Sequence, residues 1–283
     1  NGLRRKAGLA RVLVVFEPRT NTMKRGEMKA LLPWALEEAD LSFCLQGNYG
    51  WSAAEAEGRP VILQAGPGCR AYTPLPVLAA MFRSLADAAG VSVVAHLDHG
   101  ENLAVCRQAI DLGFTSVMFD GSRLPLARNI DETAAIVEIA HAAGVSVEAE
   151  LGFVGYAQGA HSTGTDPSEA GVFCRATGVD ALAVSVGNSH LMTSHTAEID
   201  WLCLRAIEAA CPDLPLVIHG GSGLAPVLRR QLATTSTVTK FNIGTELRQA
   251  FGTALRASLA RDTSRFDRIA ILSDTIGPLT EAA

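Results

Sequence analysis

The sequence is short of aromatic residues and of positive charge, and it has no long apolar run. Aromatic residues make up 6% of the 283 residues, and 24 lysines and arginines stand against 29 aspartates and glutamates, giving a net charge of −5. A chain without a basic excess is a poor candidate for binding nucleic acid, whose phosphates select basic surfaces. Without a run of about 18 apolar residues, no membrane-spanning helix is predicted.

Two short motifs are also missing. The 6 cysteines contain no CxxC pair, the spacing typical of zinc ribbons and thiol oxidoreductases. We therefore expect reduced, buried thiols and a cytoplasmic protein. A GxGxxG motif after the first strand is absent, which removes the main support for a dinucleotide-binding fold.

Apolar strands alternate with amphipathic helices along most of the chain. Strands are predicted at 41–45, 61–64, 91–95, 115–119, 145–151, 181–186, 214–218 and 238–243. Helices are predicted at 27–39, 52–57, 73–89, 102–112, 125–143, 166–176, 200–210, 226–233 and from the last strand to about 259. This unbroken alternation favours the α/β class and a single (β/α)₈ TIM barrel over residues 26–283. Residues 1–25 are expected to form an N-terminal extension that is partly disordered.

Ionisable side chains follow the ends of the predicted strands. In the stretch 96–100, His96, Asp98 and His99 end the third strand. Two structural interpretations stay open there: His96 as a hydrogen-bonded core histidine, and Asp98 as the N-cap of the next helix. The other strand-end groups are Asp120, Glu148, Glu150, His190, His219 and Asn242. Because the carboxyl ends of barrel strands converge on one mouth, where active sites of this fold lie, the clustering favours a functional site.

Three histidines from three strand ends match a catalytic zinc site, which takes three protein ligands and leaves one position open. We predict His99, His190 and His219 as ligands of Zn²⁺. The glycine-rich turn HGGSG at 219–223 follows the seventh strand, and 242–245 follows the eighth. Barrel enzymes commonly bind phosphate at these two loops, although a tight βα turn is the structural alternative. A metal beside a phosphate site suggests a phosphorylated substrate whose carbonyl group is polarised by zinc.

Six sequence blocks carry a family resemblance. In order they are VVAHLDHG, GFTSVMFDGS, VEAELG, SVGNSH, LVIHGGSG and KFNIGTELRQAF. They resemble the class II, zinc-dependent ketose-bisphosphate aldolases, in particular the short subclass of fructose- and tagatose-bisphosphate enzymes. The resemblance implies a carbon–carbon lyase that cleaves or forms a phosphorylated ketose through a metal-bound enediolate of dihydroxyacetone phosphate. We also expect a homo-oligomer, a dimer or tetramer, and name a monovalent cation as a second candidate ion.

The resemblance assigns roles residue by residue. Asp98 would be the acid and base at the C4 hydroxyl group, and Asn242 would contact the dihydroxyacetone part of the substrate. The phosphate-binding residues would be Gly220, Ser222 and Thr245 at the C1 phosphate and Arg248 at the distal phosphate. Asp120 and Glu150 correspond to carboxylates that lie behind the metal site.

The chain departs from the family pattern at its mobile loop, 152–165. Gln158 stands where the family has a glutamate that protonates the substrate carbanion, and glutamine cannot transfer a proton in that way. A catalytically impaired homologue that binds sugar phosphates is therefore an alternative function. Three further departures concern the substrate: Gly66 replaces a serine or threonine, Leu191 a glycine, and Gly244 an acid found in fructose-specific members.

Two other enzyme classes remain as alternatives. Zinc hydrolases on this fold usually carry an HxH pair on one strand, whereas this chain has the spacing HxxH at 96–99. A Schiff-base aldolase could use Lys240, since a desolvated lysine can act as a nucleophile. That interpretation would leave the three histidines unexplained.

Overall fold

The computed structural model describes residues 13–16, 41–44 and 61–282, and its main sheet has seven parallel strands. These strands are β3 (Val61–Ala65), β4 (Val93–Gly100), β5 (Ser116–Phe119), β6 (Ser146–Leu151), β7 (Ala181–Val184), β8 (Leu216–Ile218) and β9 (Val238–Phe241). Each strand pairs with its neighbour in the chain, so the spatial order is the sequence order. Two further strands, β1 (Leu13–Phe16) and β2 (Leu41–Cys44), pair in parallel with each other.

Helices connect the parallel strands. They are α1 (Pro67–Tyr72), α2 (Leu75–Ala88), α3 (Leu103–Asp111), α4 (Leu126–Ala142), α5 (Pro167–Thr177), α6 (Trp201–Ala210), α7 (Pro226–Thr235), α8 (Thr245–Arg261) and α9 (Arg268–Ala282). Parallel strands joined through helices are βαβ units, so the predicted α/β class and alternation are confirmed from residue 61 onward. None of the helices in the described part of the chain is long and apolar enough to cross a membrane.

The N-terminal predictions have mixed outcomes. The strand predicted at 41–45 is present as β2, but its described partner is β1 and not the seven-stranded sheet. β1 lies within the predicted extension 1–25, where no strand was predicted. The helices predicted at 27–39 and 52–57 lie outside the described residues.

Two helices were missed, α1 and α9, and α1 was missed because its first residues were interpreted only as the end of a strand. The sequence Gly66–Pro67–Gly68 does end β3, but Pro67 also begins α1, since proline suits the first position of a helix. Pro278 lies inside α9. Hydrogen bonds to α8 offset the cost of a proline inside the helix. Asp274 on α9 accepts them from Ser258 at 2.7 Å and from Arg261 at 2.6 Å, both on α8.

The described cysteines are all free thiols, as expected, but they are not all buried. Cys106 and Cys211 are buried, whereas Cys69 on α1 is exposed. Burial raises the pKa of the Cys106 thiol to about 12. The expectation of buried thiols is therefore wrong for Cys69.

A bulge near the end of β4 turns its last side chains toward the neighbouring strand ends. The pairing with β5 shifts register between Leu97 and Gly100, and His99 has a left-handed φ of 47°. Strand period two places adjacent side chains on opposite faces, but a bulge re-aims one of them. This irregularity lets the adjacent residues Asp98 and His99 serve the same site.

Alanine at Gly100 is expected to destabilise the protein by about 1–3 kcal/mol, the usual cost of an overpacked core. An added Cβ would lie 2.6 Å from the Met118 carbonyl oxygen and 2.8 Å from Cys106 Sγ. Gly68→Ala is the matched control, because a Cβ at Gly68 meets nothing within 4 Å. Chemical denaturation measures both variants, and equal free energies of unfolding would contradict the close packing at Gly100.

Candidate active site

Three imidazole rings meet at the carboxyl ends of the strands. His99 lies on the β4 bulge, His190 in the loop after β7, and His219 directly after β8. The ring centroids are 5.4 Å apart for His99 and His190, 4.6 Å for His99 and His219, and 5.6 Å for His190 and His219. One nitrogen from each ring lies within 4.8 Å of the other two. The structure thus brings the three predicted ligands together.

Carboxylates orient two of these rings. Asp120 Oδ2 lies 2.8 Å from His99 Nδ1, and Glu148 Oε1 lies 3.0 Å from His219 Nε2. Pairs of this kind fix the tautomer and orientation of metal-binding histidines. Asp120, Glu150 and His99 also form a second group whose potential ligand atoms lie within 4.8 Å of one another. Asp120 and Glu150 thus lie next to His99, and their role behind the metal stays a prediction.

Two buried polar atoms in the cluster lack hydrogen-bond partners among the described residues. They are His219 Nδ1 and Glu150 Oε2, which lie 3.3 Å apart. Leaving a buried polar atom unsatisfied costs about 1–3 kcal/mol, and a metal ion would satisfy the nitrogen. Three imidazoles are a donor set that catalytic zinc sites use, so the residues present fit such an ion.

The ionisable groups of the cluster have shifted pKa values. Burial disfavours a charged His99, but the hydrogen bond with Asp120 and the negative charges of Asp98, Glu150 and Asp120 together outweigh burial and raise the pKa of His99 to about 9. Burial, with the charges of His219 and His99, lowers the pKa of His190 to about 3. Burial raises the pKa of Glu150 to about 7. His190 is therefore a neutral imidazole at pH 7, the form that binds metals.

Asp98 adjoins the histidines and does not cap a helix. The N-cap of α3 is Asn102, whose side chain accepts a backbone N–H of that helix, so the capping interpretation of Asp98 is wrong. Asn242 Nδ2 donates to Asp98 Oδ1 at 3.1 Å. Burial opposes ionisation of Asp98, but the charges of His99, His219, Lys240 and His96 together outweigh it and lower the pKa of Asp98. Asp98 is consequently a carboxylate at neutral pH and able to accept a proton.

The glycine-rich turn after β8 requires glycine at its first position. Gly220 has a left-handed φ of 66°, and a Cβ there would collide with the Ser189 carbonyl oxygen. Left-handed backbone conformations cost little only for glycine. Residues Gly221–Gly223 continue as a short 3₁₀ turn. The backbone of the turn therefore packs directly against the loop that carries His190.

The same turn is hydrogen-bonded to the start of α8. Ser222 Oγ accepts hydrogen bonds from the backbone N–H groups of Thr245 at 3.1 Å and Glu246 at 3.3 Å. Arg248, which is exposed, donates to Thr245 Oγ1 at 3.3 Å. Three of the four residues predicted to bind phosphate, Ser222, Thr245 and Arg248, thus meet at the N-terminus of α8, and helix N-termini favour anions.

Three residues that differ from the family pattern have conformations or neighbours that bear on the site. Leu191 has a φ of 59°, a left-handed conformation normally taken by glycine. A Cβ at Gly66 would lie 2.9 Å from Asp98 Oδ2, and one at Gly244 would lie 3.4 Å from an Arg248 guanidinium nitrogen. The two glycines therefore leave Asp98 and Arg248 unobstructed.

A buried network of charged side chains adjoins the histidine cluster. Lys240 Nζ donates to Glu148 Oε2 at 2.7 Å and lies 3.2 Å from His96 Nε2, while His96 Nδ1 lies 2.8 Å from Ser116 Oγ. His96 is thus a hydrogen-bonded core histidine, and burial with the charge of Lys240 lowers its pKa to about 3. Sequence reasoning did not assign Glu148 a role, although its spacing of two from Glu150 on one strand was the available signal.

The ion pair counts against Lys240 as a Schiff-base nucleophile, and it yields a stability prediction. Lys240→Met is expected to cost about 3–5 kcal/mol, because it leaves the buried Glu148 carboxylate without its ammonium partner. Adding Glu148→Gln should restore part of the loss. Chemical denaturation of both single variants and of the double variant measures the coupling. A loss below about 1 kcal/mol for Lys240→Met, typical of exposed pairs, would contradict this account.

The loop between β6 and α5 carries Gln158 and His161, and both side chains are exposed. Neither has a described hydrogen bond to the histidine cluster. Tyr156, two residues before Gln158, does reach it, because its ring centroid lies 5.2 Å from that of His190. The sequence pattern gave no indication of this contact.

The parallel sheet and the clustered histidines define an α/β enzyme with a candidate metal centre at the carboxyl ends of its strands. The model of the family described as class-II fructose-bisphosphate aldolase matches residues 47–282. The chain belongs to this family and is an aldolase, a lyase. The family resemblance of the six sequence blocks is thereby confirmed.

Individual relatives support the same assignment. A fructose-bisphosphate aldolase of Geobacillus stearothermophilus is 36% identical over 245 residues, which cover 81% of this chain and 85% of the relative. A 6-phospho-5-dehydro-2-deoxy-D-gluconate aldolase of Shouchella clausii is 37% identical over 229 residues, 79% of this chain and 78% of the relative. The crystal structure of the YdjI aldolase from Escherichia coli K12 matches 99% of this chain and 91% of its own, with 25% identity and a TM-score of 0.68.

Proposed function

We propose that this protein is a zinc-dependent aldolase that cleaves a phosphorylated ketose, or forms it in reverse, with dihydroxyacetone phosphate as one product. The observation that carries the proposal is the trio His99, His190 and His219, whose nitrogens lie within 4.8 Å of one another while His219 Nδ1 has no described partner. The two relatives, both named as aldolases of phosphorylated sugars, support the substrate class. The family and the parallel sheet also support closure into an eight-stranded barrel over residues 26–283.

The residues around the trio fit the steps of such a cleavage. His99, His190 and His219 would hold the ion, and bound zinc would polarise the ketone carbonyl at C2. The Asp98 carboxylate accepts the proton of the C4 hydroxyl group as the bond between C3 and C4 breaks. Asn242 donates a hydrogen bond to Asp98 Oδ1, which orients the carboxylate for this transfer.

The turn after β8 and the start of α8 bind the phosphate groups of the substrate. Backbone N–H groups at Gly220 and Ser222, with the Thr245 hydroxyl group, hold the C1 phosphate against the helix N-terminus. Arg248 is exposed beside them and pairs with the distal phosphate of a bisphosphate substrate. Asp120 and Glu150 act behind the ligands, where Asp120 fixes His99 through the bond of 2.8 Å.

A cleavage assay on a panel of ketose mono- and bisphosphates tests the proposal. The zinc-loaded protein should release dihydroxyacetone phosphate from at least one member, detected by a coupled dehydrogenase. Differences between 1-phosphates and 1,6-bisphosphates would measure the contribution of the distal phosphate. Binding of several sugar phosphates without cleavage of any would favour the second candidate, a binding homologue, which Gln158 in place of the loop glutamate supports.

Return of a proton to the carbanion at C3 is the step that Gln158 affects. Gln158→Glu is expected to raise exchange of the C3 hydrogen of dihydroxyacetone phosphate about tenfold, a barrier change of about 1.4 kcal/mol. The reason is that position 158 follows Ala157, whose N–H donates to the His190 carbonyl at 2.9 Å, so a carboxylate there would lie beside the site. Deuterium incorporation followed by NMR measures the rate.

Two other outcomes of this exchange experiment have distinct meanings. If the native chain already exchanges quickly and Gln158→Glu changes little, another group returns the proton, and loss of exchange in His161→Ala or Glu150→Gln identifies it. Slow native exchange without a gain from Gln158→Glu contradicts proton return by this loop and favours the binding homologue.

A further inference from the structure

The loop 152–165 is held together by its own hydrogen bonds. Phe153 and Thr163 form an antiparallel bridge in which each N–H donates to the other's carbonyl group at 2.8 Å. Nearer the tip, the Tyr156 N–H donates to the Ala160 carbonyl at 2.9 Å. A loop with this many internal backbone hydrogen bonds is a small hairpin, and opening it would expose those groups.

The hairpin is also bonded to the segment that carries the metal ligand His190. The His190 N–H donates to the Gly155 carbonyl at 2.7 Å, and the Ala157 N–H donates to the His190 carbonyl at 2.9 Å. The hydroxyl group of Ser162 accepts from the Gly155 N–H at 3.0 Å and donates to the Asn188 carbonyl at 3.2 Å. Both backbone groups of His190 are therefore fixed by the hairpin.

An aromatic contact extends this attachment to the imidazole itself. The rings of Tyr156 and His190 have centroids 5.2 Å apart and an interplanar angle of 30°, a separation at which aromatic rings attract each other. The Tyr156 ring also lies 6.4 Å from that of Phe153, whose other neighbour is the Arg123 guanidinium, 4.3 Å from the ring centroid. The hairpin thus presents a supported aromatic surface to the ligand.

The His190 side chain is oriented differently from those of the other two proposed ligands. His99 is oriented by Asp120, and His219 by Glu148. No side-chain hydrogen bond of His190 occurs within the described residues. Among the three proposed ligands, it is the one whose orientation depends on packing against a ring.

We propose that Tyr156 is a positioning residue that holds the imidazole of His190 for the metal. The proposal rests on the zinc site put forward above. It also assigns to the hairpin a function in metal binding that does not depend on the side chain at position 158.

Zinc affinity tests the role of Tyr156 without reference to turnover. Competition titration against a chromophoric chelator should show Tyr156→Ala weakened about tenfold, within the range of about 10–100-fold found when the partners of metal ligands are removed. Tyr156→Phe keeps the ring and should stay within about twofold of the native protein. Tyr72→Ala is the matched control, since the Tyr72 side chain is 92% exposed, and it should leave the affinity unchanged.

The same zinc titration separates the positioning role from the proposed function. Native zinc affinity in Tyr156→Ala would overturn the positioning role and leave the aldolase proposal standing, as would an equal loss in Tyr156→Phe. A native protein that binds no zinc would overturn the proposed function itself.

Discussion

Removing the metal is expected to abolish cleavage, and one equivalent of Zn²⁺ per chain should restore it. The reason is that the three imidazoles fit a zinc ion, and bound zinc would polarise the substrate carbonyl. Dialysis against EDTA followed by titration with zinc, with activity and bound metal measured at each step, provides the test. Chelator-resistant cleavage by a demonstrably metal-free protein would refute zinc dependence.

Histidine variants locate the metal. His190→Ala should lose both zinc and activity, because it removes one of three ligands. His141→Ala is the matched control: His141 lies on α4, and its exposed ring pairs with Asp180 at 3.0 Å, away from the three proposed ligands. Zinc content measured by atomic emission distinguishes the two variants. Equal zinc content in both would place the ion elsewhere.

Replacing Asp98 by asparagine should lower cleavage by about 10²-fold or more while zinc binding stays intact. General acid–base groups contribute about 10²–10⁴ in rate, and asparagine cannot accept the C4 proton. Asparagine has the same shape and can still accept the hydrogen bond from Asn242, so the fold should be retained. The measurement is kcat for cleavage together with the zinc content of the same preparation.

Asp131→Asn is the control for Asp98→Asn, since Asp131 lies on the exposed surface of α4. It should leave kcat unchanged. If Asp98→Asn instead lowered thermal stability and left the turnover of folded enzyme undiminished, Asp98 would be a structural residue and another base would be required.

Much of the fold could be predicted because each element has a local signal. Strand β5, for example, is a short apolar run buried along its whole length, and α5 begins at an aspartate whose side chain accepts two backbone N–H groups. The helix α9 was missed because it is held by contacts with other segments, among them the ion pairs between Asp274 and arginines on or just after α8. Contacts of that kind are tertiary and leave no periodic pattern in the sequence.

The candidate site could be predicted as a set of residues but not as a geometry. Parallel strands bring their carboxyl ends together, which is why His99, His190 and His219 could be grouped from the alternation alone. The bulge that turns His99 beside Asp98 depends on the register between β4 and β5, which the sequence does not display. The attachment of Tyr156 to His190 likewise depends on how a hairpin folds across another loop.

The most direct test of the zinc site is an anomalous difference map measured at the zinc absorption edge from crystals of active enzyme. The account predicts one strong peak about 2.0–2.1 Å from one nitrogen each of His99, His190 and His219, the distance typical of zinc and imidazole. A strongest peak outside these three side chains, or no zinc peak in crystals that still cleave substrate, would contradict it.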